Sequence, residues 1–544
     1  MSDFKIENDT LIKYTGSDTR VELPKGIKKI GYGVFEHNND ITEVIIPNGV
    51  TEIGMGAFSN CTNLTDVVIP DSVHSIGESA FAYCSSLDAV NLPKKLKSIS
   101  NSCFVECESL TEITVPEGVT VINGSAFNNC KALTAVRLPE SLTAISYSAF
   151  AECESLTDIN IPNGVTLIDS GAFEGCRSLL SISLPAGLDR ISCAVFSGCT
   201  ALASIVIPER VAVIENYAFA GCKSLTELVI PEAVTSIGRQ AFSNCTSLTS
   251  IHVPQNVKKI FDSPFVGCKA LTEITVDEEN PYFKSVDGVL YTKDGATLLA
   301  YPAGKAGNSF RIPDGVTKIA EHAFGYADRL TEITVPRSVH TVERNAFYNC
   351  KSLVRMELPE GVREVKTGAF SYCRNLRYVS LPDSVKSINT DTFSECSSLE
   401  DIHLSLKRIS INSRAFWGIP STGRIYANFG IMQYIEDDPL DGNSWACAIR
   451  GFLTRYYARE TGWKETEKWR EYINKRTRKA FRILPNEPLL YRFLTENNTI
   501  SPNRVDKLLA NTDNPECRAI LLEYQNSHRK KNTKDTVGDK FTIN

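Results

Sequence analysis

The chain has seventeen cysteines, the most reactive side chains in its sequence. Thirteen of them recur at a fixed spacing. A cysteine thiolate can bind zinc, attack an electrophile or form a disulfide. Zinc sites are commonly built from Cys-x₂-Cys pairs, and no such pair occurs in the sequence. We therefore expect no metal site. The regular set is Cys61, Cys84, Cys107, Cys130, Cys153, Cys176, Cys199, Cys222, Cys245, Cys268, Cys350, Cys373 and Cys396.

Many cysteines can also indicate a disulfide framework, but three observations oppose that interpretation. The first residues are polar and lack the apolar stretch of a secretory signal peptide. The repeats described below supply a core without disulfides, and cysteines at equal positions of stacked repeats point in parallel rather than toward one another. We therefore predict that Cys61, Cys84, Cys130 and the others of the set form a reduced ladder of small buried residues.

The seven histidines are the other candidates for catalysis, and they stand in different repeats and at different positions within them. None forms a recognisable series with a serine, a cysteine or a carboxylate. The sequence also lacks a Walker A loop, a dinucleotide fingerprint and a His-Glu-x-x-His motif. We expect no catalytic residues and no cofactor, and a protein that is not an enzyme.

Phenylalanine reveals the elements that must position these side chains, because it recurs every 23 residues. The series runs from Phe35 to Phe265, stops once, and resumes from Phe324 to Phe416. A fixed period of this length is typical of a solenoid, in which each coil buries its apolar edge against its neighbours. We predict a structural core ladder that includes Phe58, Phe81, Phe104, Phe127, Phe150 and Phe173.

One repeat shows how the pattern predicts local structure. Val67 and Ile69 should alternate with exposed positions, as in a strand that is buried on one side. Pro70 ends this strand because it has no N–H for a ladder. Ile76 belongs to a second short extended piece, and Gly77 suits a tight turn with positive φ. Each coil should therefore contribute two short parallel strands.

The motif Ala-Phe-x-x-Cys-x-x-Leu-x-x-Ile-x-Ile-Pro-x-x-Val-x-x-Ile-Gly recurs nearly unbroken from about residue 24 to 418 and resembles the BspA-like leucine-rich repeat family. The resemblance implies a right-handed leucine-rich superhelix with a parallel sheet on one face. It also implies protein recognition or adhesion rather than catalysis. We expect an N-terminal cap over residues 1–23 and the solenoid over residues 24–423.

The series of phenylalanines is interrupted by a segment that is longer than the repeat allows. Asp287-Gly288 and Asp294-Gly295 predict tight turns between short strands, so residues 278–308 should form a β-hairpin insertion. Members of the BspA-like family also carry such insertions, with a similar amino-acid sequence. The insertion could be a protruding contact loop or a purely structural elaboration.

The residues eight positions after each phenylalanine should face outward on the first strand of each coil, and most of those we single out are acidic. Concave sheet faces are where solenoids usually bind, so an acidic stripe could receive a basic partner. The alternative is that charge keeps a stacked sheet soluble. The candidate partner-binding residues are Glu43, Asp66, Glu112, Asp158, Glu227, Glu273, Glu332, Tyr378 and Asp401. We expect contact to centre on Asp158 to Glu273.

After Phe416 the apolar period changes to that of helices, which predicts a small all-α domain over residues 424–525 and a disordered tail over 526–544. We expect helices at Ser444–Tyr457 and at about 464–483, then shorter ones opened by Asn486, Ser501-Pro502 and Asn514-Pro515. Paired short helices of this kind look similar to ankyrin-type repeats. The basic run Lys475–Lys479 could bind nucleic acid, but a solvated helix face explains it as well, and we do not expect a nucleic-acid partner.

No run of about 18 apolar residues occurs, so we expect no membrane span. A net charge of −6 over 544 residues says little about partners. The interpretation that follows is a monomeric, cytoplasmic, non-enzymatic scaffold that binds a protein partner on the exposed strand face. The alternative is a cell-surface adhesin or secreted effector that is exported without a standard signal peptide.

Overall fold

The computed structural model describes residues 3–404, 410–412, 414–427, 432, 442–458, 466–501 and 504–537. The chain divides into two compact units. Unit 1 comprises residues 1–306 and 320–327, and unit 2 comprises residues 307–319 and 328–544. Both units contain a parallel β-solenoid of short strands, and unit 2 also contains the C-terminal helices.

In unit 1 each coil can contribute a first strand of three or four residues and a second strand of two. Both kinds pair in parallel at an offset of one repeat, as Glu43 pairs with Asp66 and Val121 with Ala144. The first strands are Arg20–Glu22, Glu43–Ile45, Asp66–Val68, Glu112–Thr114, Ala135–Arg137, Ser250–Val253 and Glu273–Val276. The second strands are Lys29–Ile30, Glu52–Ile53, Ser75–Ile76, Ser98–Ile99, Val121–Ile122, Ala144–Ile145, Leu167–Ile168, Arg190–Ile191, Val213–Ile214, Ser236–Ile237 and Lys259–Ile260.

The phenylalanines of unit 1 stack in one buried column. The rings of Phe35 and Phe58 lie 5.0 Å apart and nearly parallel, and the spacing stays within 6.0 Å down to Phe265. Phe58, Phe81, Phe104, Phe127, Phe150 and Phe173 all lie in this column, fully buried. Aromatic pairs at this spacing add to the free energy gained by burying their surface.

The N-terminal hairpin extends this column at its end. Strands Phe4–Glu7 and Thr10–Tyr14 pair antiparallel. The Tyr14 ring lies 5.1 Å from Phe35, and Phe4 lies 5.1 Å from Tyr14. The hairpin therefore covers a hydrophobic edge that would otherwise face water.

The cysteine ladder is held by hydrogen bonds as well as by packing. In twelve coils the thiol Sγ donates to the carbonyl oxygen of the phenylalanine one repeat earlier, at 3.0 to 3.2 Å. Burial raises the pKa of the Cys61 and Cys176 thiols to about 12, so these donors stay protonated. All seventeen cysteines are free thiols.

The insertion is a three-stranded antiparallel meander, which confirms the predicted β-hairpin elaboration. Its strands are Phe283–Val286, Val289–Thr292 and Thr297–Ala300. Gly288 and Gly295 have φ of 72° and 78° at the two turns. Such left-handed conformations cost glycine little, which explains why the turns carry Asp-Gly.

A fully buried asparagine ties the insertion to the solenoid. Asn280 Nδ2 donates to the carbonyl oxygens of Pro254 (2.8 Å) and Val257 (3.1 Å). Its Oδ1 accepts from the N–H groups of Tyr282 (2.8 Å) and Phe283 (2.9 Å). A buried amide that meets partners on both ends fixes the chain path at this point.

The apparent gap in the phenylalanine series is filled by a tyrosine. Tyr301 stands 23 residues before Phe324, and its ring stacks on Phe324 at 5.2 Å. Tyr301 is also buried. The coil that follows the insertion therefore keeps an aromatic ring at its regular position, a feature that a search for phenylalanine alone misses.

Unit 2 repeats the same strand architecture. A second phenylalanine column joins Phe347, Phe370, Phe393 and Phe416 at 5.1 to 5.7 Å. The first strands are Ser309–Arg311, Glu332–Thr334, Arg355–Glu357, Tyr378–Ser380, Asp401–His403 and Arg424–Tyr426. The second strands are Lys318–Ile319, Thr341–Val342, Glu364–Val365, Ser387–Ile388 and Ser410–Ile411.

In unit 2, helices follow the strand Arg424–Tyr426. They are α1 (Gly442–Tyr457), α2 (Thr466–Lys475), α3 (Thr477–Ile483), α4 (Pro488–Glu496), α5 (Val505–Ala510) and α6 (Pro515–Val537). Helix α1 packs against Arg424–Tyr426 so closely that a Cβ on Gly451 would collide with the carbonyl oxygen of Ile425. Asn443 Nδ2 also donates to the carbonyl oxygen of Ile419 at 3.1 Å. Helix α1 therefore caps the last strand of this unit.

The helices differ from the sequence predictions in three places. The helix expected at about 464–483 is two helices that meet at Arg476. Asn486 does not cap α4, because its Oδ1 instead accepts from Thr512 Oγ1 at 2.7 Å. Helix α6 continues to Val537, through part of the tail predicted as disordered, since its polar residues are good helix formers and elongating an existing helix is favourable. The likeness to ankyrin repeats stays a prediction, and Pro502 lies outside the described residues.

Candidate binding face

Each unit has a strand face, which is the set of outward side chains on its own first-strand positions. Along a strand successive side chains point to opposite sides, so residues eight and ten positions after each phenylalanine flank a buried residue. The structure places all nine predicted residues on these faces. Asp66, Glu112, Asp158, Glu227, Glu273 and Glu332 are exposed, whereas Glu43, Tyr378 and Asp401 are partly covered.

The acidic residues of these faces differ in whether a cation neutralises them. Glu43 pairs with Arg20 at 3.3 Å, and Asp401 pairs with Arg424 at 3.3 Å. Within the described residues, no ion pair engages Asp66, Glu112, Asp158, Glu227 or Glu273. Within unit 1, the uncompensated negative charge of the strand face therefore lies in the coils that follow Glu43.

The middle of unit 1 combines this charge with exposed apolar side chains, and we call it the central patch: Asp158, Leu180, Val206, Glu227 and Val229. Val206 and Val229 are 82% and 80% exposed, and Leu180 is 58% exposed. Val206 and Val229 hold the same position in successive coils, and stacked coils of a solenoid are direct neighbours. Apolar side chains grouped in this way on a soluble protein commonly mark an interaction site.

Leu180 stands at a position where many other coils carry threonine. Thr65 Oγ1 donates to the carbonyl oxygen of Thr42 at 3.0 Å, and Thr272 Oγ1 donates in the same way to Thr249 at 3.0 Å. Leu180 cannot continue this ladder of hydroxyl groups. Other coils hold Ala203, Val354 and Arg377 at this position, so the fold accepts several residue types there and does not require leucine.

The backbone of the central patch is also irregular. Between the first strands Ala135–Arg137 and Ser250–Val253, a stretch described throughout, the first-strand positions pair only through an isolated bridge from Asn160 to Ser183. The sequence pattern alone predicts strands in these coils. The exposed side chains of the central patch thus lie where the ladder hydrogen bonds are weakest.

The strand face of unit 2 has a different composition. The Arg355 guanidinium lies 3.8 Å from the centre of the Tyr378 ring, and Tyr378 lies 5.1 Å from the His403 ring. His403 stacks on Tyr426 at 4.4 Å, and Arg455 of α1 lies 5.3 Å from Tyr426. Because these side chains contact one another through cation–aromatic and ring-stacking interactions, this face carries less unpaired charge than the central patch.

One group of side chains has the residue types of a hydrolytic site. Ser263 Oγ lies 3.1 Å from His322 Nδ1, and the same nitrogen lies 3.7 Å from Glu321 Oε1. A catalytic triad places the carboxylate and the hydroxyl on opposite ring nitrogens, which this geometry does not. Arg239 also binds Glu321 at 2.8 Å. The group is therefore a structural tie between coils.

The histidines look scattered along the sequence, so this tie was not predicted. Ser263 and His322 each stand two residues before an aligned aromatic position, Phe265 and Phe324. The insertion separates Ser263 and His322 along the chain. Their equal position within the repeat could nevertheless have predicted that they lie close together.

The basic run on the helices is largely engaged by neighbouring side chains. Lys475 pairs with Glu471 at 3.7 Å. Arg476 lies 4.2 Å from the centre of the Tyr472 ring, and Lys479 lies 5.0 Å from that of Trp445. Arg478 borders an open cleft beside the uncharged Thr477. This arrangement gives no continuous cationic track along the run.

Across the described ranges, no three His, Cys, Asp or Glu side chains converge as metal ligands would. In the same ranges, no helix combines the length and the apolar character that crossing a bilayer requires.

The chain matches the family model described as "BspA type Leucine rich repeat region (6 copies)" over residues 5–134, 97–222, 189–286 and 303–423. Similar solved structures include a leucine-rich repeat protein from Bacteroides ovatus, with 26% identity and a TM-score of 0.44 over 78% of this chain and 97% of that chain. A leucine-rich cell surface protein from Faecalibacterium prausnitzii has 27% identity and a TM-score of 0.34 over 76% and 94%. No curated protein matches the chain.

Proposed function

Because the chain belongs to the BspA-type leucine-rich repeat family, we propose that it is a non-enzymatic scaffold that binds a protein partner on the central patch. Leucine-rich repeat proteins are generally interaction or surface proteins, and the proposal narrows this to one surface of this chain. The observation that carries it is the exposure of Val206 and Val229, at 82% and 80%, on a strand face whose Asp158 and Glu227 form no ion pair with any residue that the structure describes.

The chemistry of the central patch defines the partner. Two adjacent valines offer an apolar anchor point, and removing them from water on binding is favourable. Glu227 stands in the coil of Val229, and Asp158 stands two coils before that of Val206. Their charges attract a basic rim on the partner, which sets orientation and association rate more than affinity. The partner we infer is therefore a protein surface with one apolar side chain surrounded by lysine or arginine.

The test is capture by the full chain of a partner, followed by the double variant Val206→Asp and Val229→Asp. We expect this variant to lose the partner, because two charges would replace the anchor. Met55→Asp is the matched control, since Met55 is an apolar residue 49% exposed and off the strand face. Binding that survives the double variant, with both proteins equally stable to heat, would refute the proposal.

A cytoplasmic location is a separate proposal, and the seventeen free thiols support it, since disulfides usually form between cysteines in oxidising compartments. Protease treatment of intact cells tests it. Protection of the chain is expected, whereas cleavage would favour the surface-adhesin alternative.

A further inference from the structure

A cleft with basic walls lies among the C-terminal helices. It has a volume of about 760 Å³ and runs between α3 and α5. Arg478 and Arg482 stand four residues apart on α3 and so share one face of that helix. Lys507 of α5 and Arg504, which directly precedes α5, line the other side. We call this the basic cleft.

The floor of the basic cleft is apolar. Phe481, Ile500 and Leu508 contribute to its lining. Tyr491 lies beneath with 1% of its surface exposed, and its hydroxyl donates to the carbonyl oxygen of Pro485 at 2.9 Å. The cleft can therefore remove an apolar side chain from water while charged groups remain at its rim.

The four cations of the rim are not neutralised by any acid that the structure describes. Within the described residues, none of Arg478, Arg482, Arg504 and Lys507 forms an ion pair, although other cations of the helices do. Two nearby acids are already engaged: Glu487 binds Arg450 at 2.5 Å, and Asp506 accepts a hydrogen bond from Gln525 at 3.0 Å. Like charges grouped around a concave surface focus a positive potential into it.

We propose that the basic cleft binds a short acidic peptide segment of a partner protein, with an apolar side chain on the floor and carboxylates against the four cations. Helix α3 has seven residues, so the wall is on the order of 10 Å long. That length accommodates about three extended residues. The recognised segment is thus an apolar residue with acidic residues on both sides.

A nucleic acid fits the cleft less well than a peptide. Binding a single strand needs an extended cationic track and exposed rings on which bases stack. The Tyr491 ring is buried, and Glu467, Glu471 and Glu516 lie on the neighbouring helices. The positive charge is confined to the cleft, which favours a compact anionic motif.

The experiment measures fluorescence anisotropy of the full chain with a labelled nine-residue peptide, whose central leucine has two acidic residues on each side. We expect saturable binding that weakens as salt is added and falls at least tenfold when the acids are replaced by their amides. The variant Arg478→Glu with Arg504→Glu should weaken binding at least tenfold. The control Lys468→Glu with Lys475→Glu makes the same charge change on α2 and should alter binding less than twofold.

Three results would overturn the proposal. They are no saturable binding at low salt, equal binding of the amide peptide, and equal binding by the cleft variant. Tighter binding of a ten-residue oligothymidylate that displaces the peptide would assign the cleft to nucleic acid instead. Equal midpoints of thermal unfolding for both double variants would show that a loss of binding does not result from unfolding.

Discussion

The thiol of Cys61 donates a hydrogen bond to the carbonyl oxygen of Phe35 in the preceding coil, with 3.0 Å between sulfur and oxygen. The same carbonyl oxygen accepts from the N–H of Asn38 at 2.9 Å. The thiol therefore joins two coils through a buried acceptor, which explains why the repeat carries cysteine rather than alanine at this position.

Replacing a ladder cysteine should destabilise the protein mainly by removing this donor. Cys130→Ala loses the bond to the Phe104 carbonyl and leaves a small cavity, and we expect it to cost about 1–3 kcal/mol. Cys130→Ser keeps a donor at the same place and should cost less than alanine. Urea unfolding measures both variants, and serine proving the more damaging would show that the bond does not matter.

The stability of the solenoid should fall at alkaline pH. Burial raises the pKa of the Cys61 thiol from 9.0 to about 12. The folded chain therefore holds this proton more tightly than the unfolded chain, so the contribution is complete below pH 9 and is lost as pH rises toward 12. Urea midpoints at several pH values measure this, and the variant Cys61→Ala with Cys176→Ala should show a shallower fall. Identical slopes for the two proteins would contradict the account.

The thiols should react slowly in the folded protein and completely in the unfolded one. All but Cys193 are buried. Ellman titration should therefore find about one accessible thiol at neutral pH without denaturant, and close to 17 in guanidinium chloride. Fewer than about 15 in denaturant would reveal disulfides and refute the reduced ladder.

Truncating a column phenylalanine should damage the fold locally. Phe150→Ala removes a ring that stacks on Phe127 and Phe173, and we expect a cost of about 3–5 kcal/mol. Because each coil contacts only its neighbours, amide hydrogen exchange should accelerate in the coils around Phe150. Uniform acceleration across unit 1 would show that the unit unfolds as a whole.

Removing the buried amide of Asn280 should release the insertion. Asn280→Ala loses four hydrogen bonds, which at about 1 kcal/mol each is a cost of roughly 4 kcal/mol. Limited proteolysis should then cleave within residues 278–308 more readily. Asn308→Ala is the control, since Asn308 is exposed. Equal cleavage of both variants would mean that Asn280 does not anchor the insertion.

The repeat made most of the fold predictable, because a side chain that stacks on its own copy must recur at a fixed interval. The hairpin turns at Gly288 and Gly295 were predictable for a local reason, the positive φ that glycine adopts freely. The place of Tyr301 in the aromatic series was not predicted, because the series was read from phenylalanine alone, whereas stacking requires only an aromatic ring. The break at Arg476 was missed because an apolar period does not report where a helix ends.

The binding residues were less predictable. The repeat identifies which positions face outward. Exposure, ion pairs and packing then decide which of these side chains remain available to bind a partner. Glu43 and Asp401 belong to the predicted stripe, yet each has an arginine partner. The basic cleft depends on how α3 and α5 meet across α4, and nothing in the local sequence specifies that meeting.

The most direct test of the scaffold account is hydrogen–deuterium exchange of the full chain with and without a captured protein partner. We predict slower exchange of amides at residues 158–229, on and around the central patch. Protection confined to other parts of the chain, with exchange at residues 158–229 unchanged, would contradict binding on the strand face.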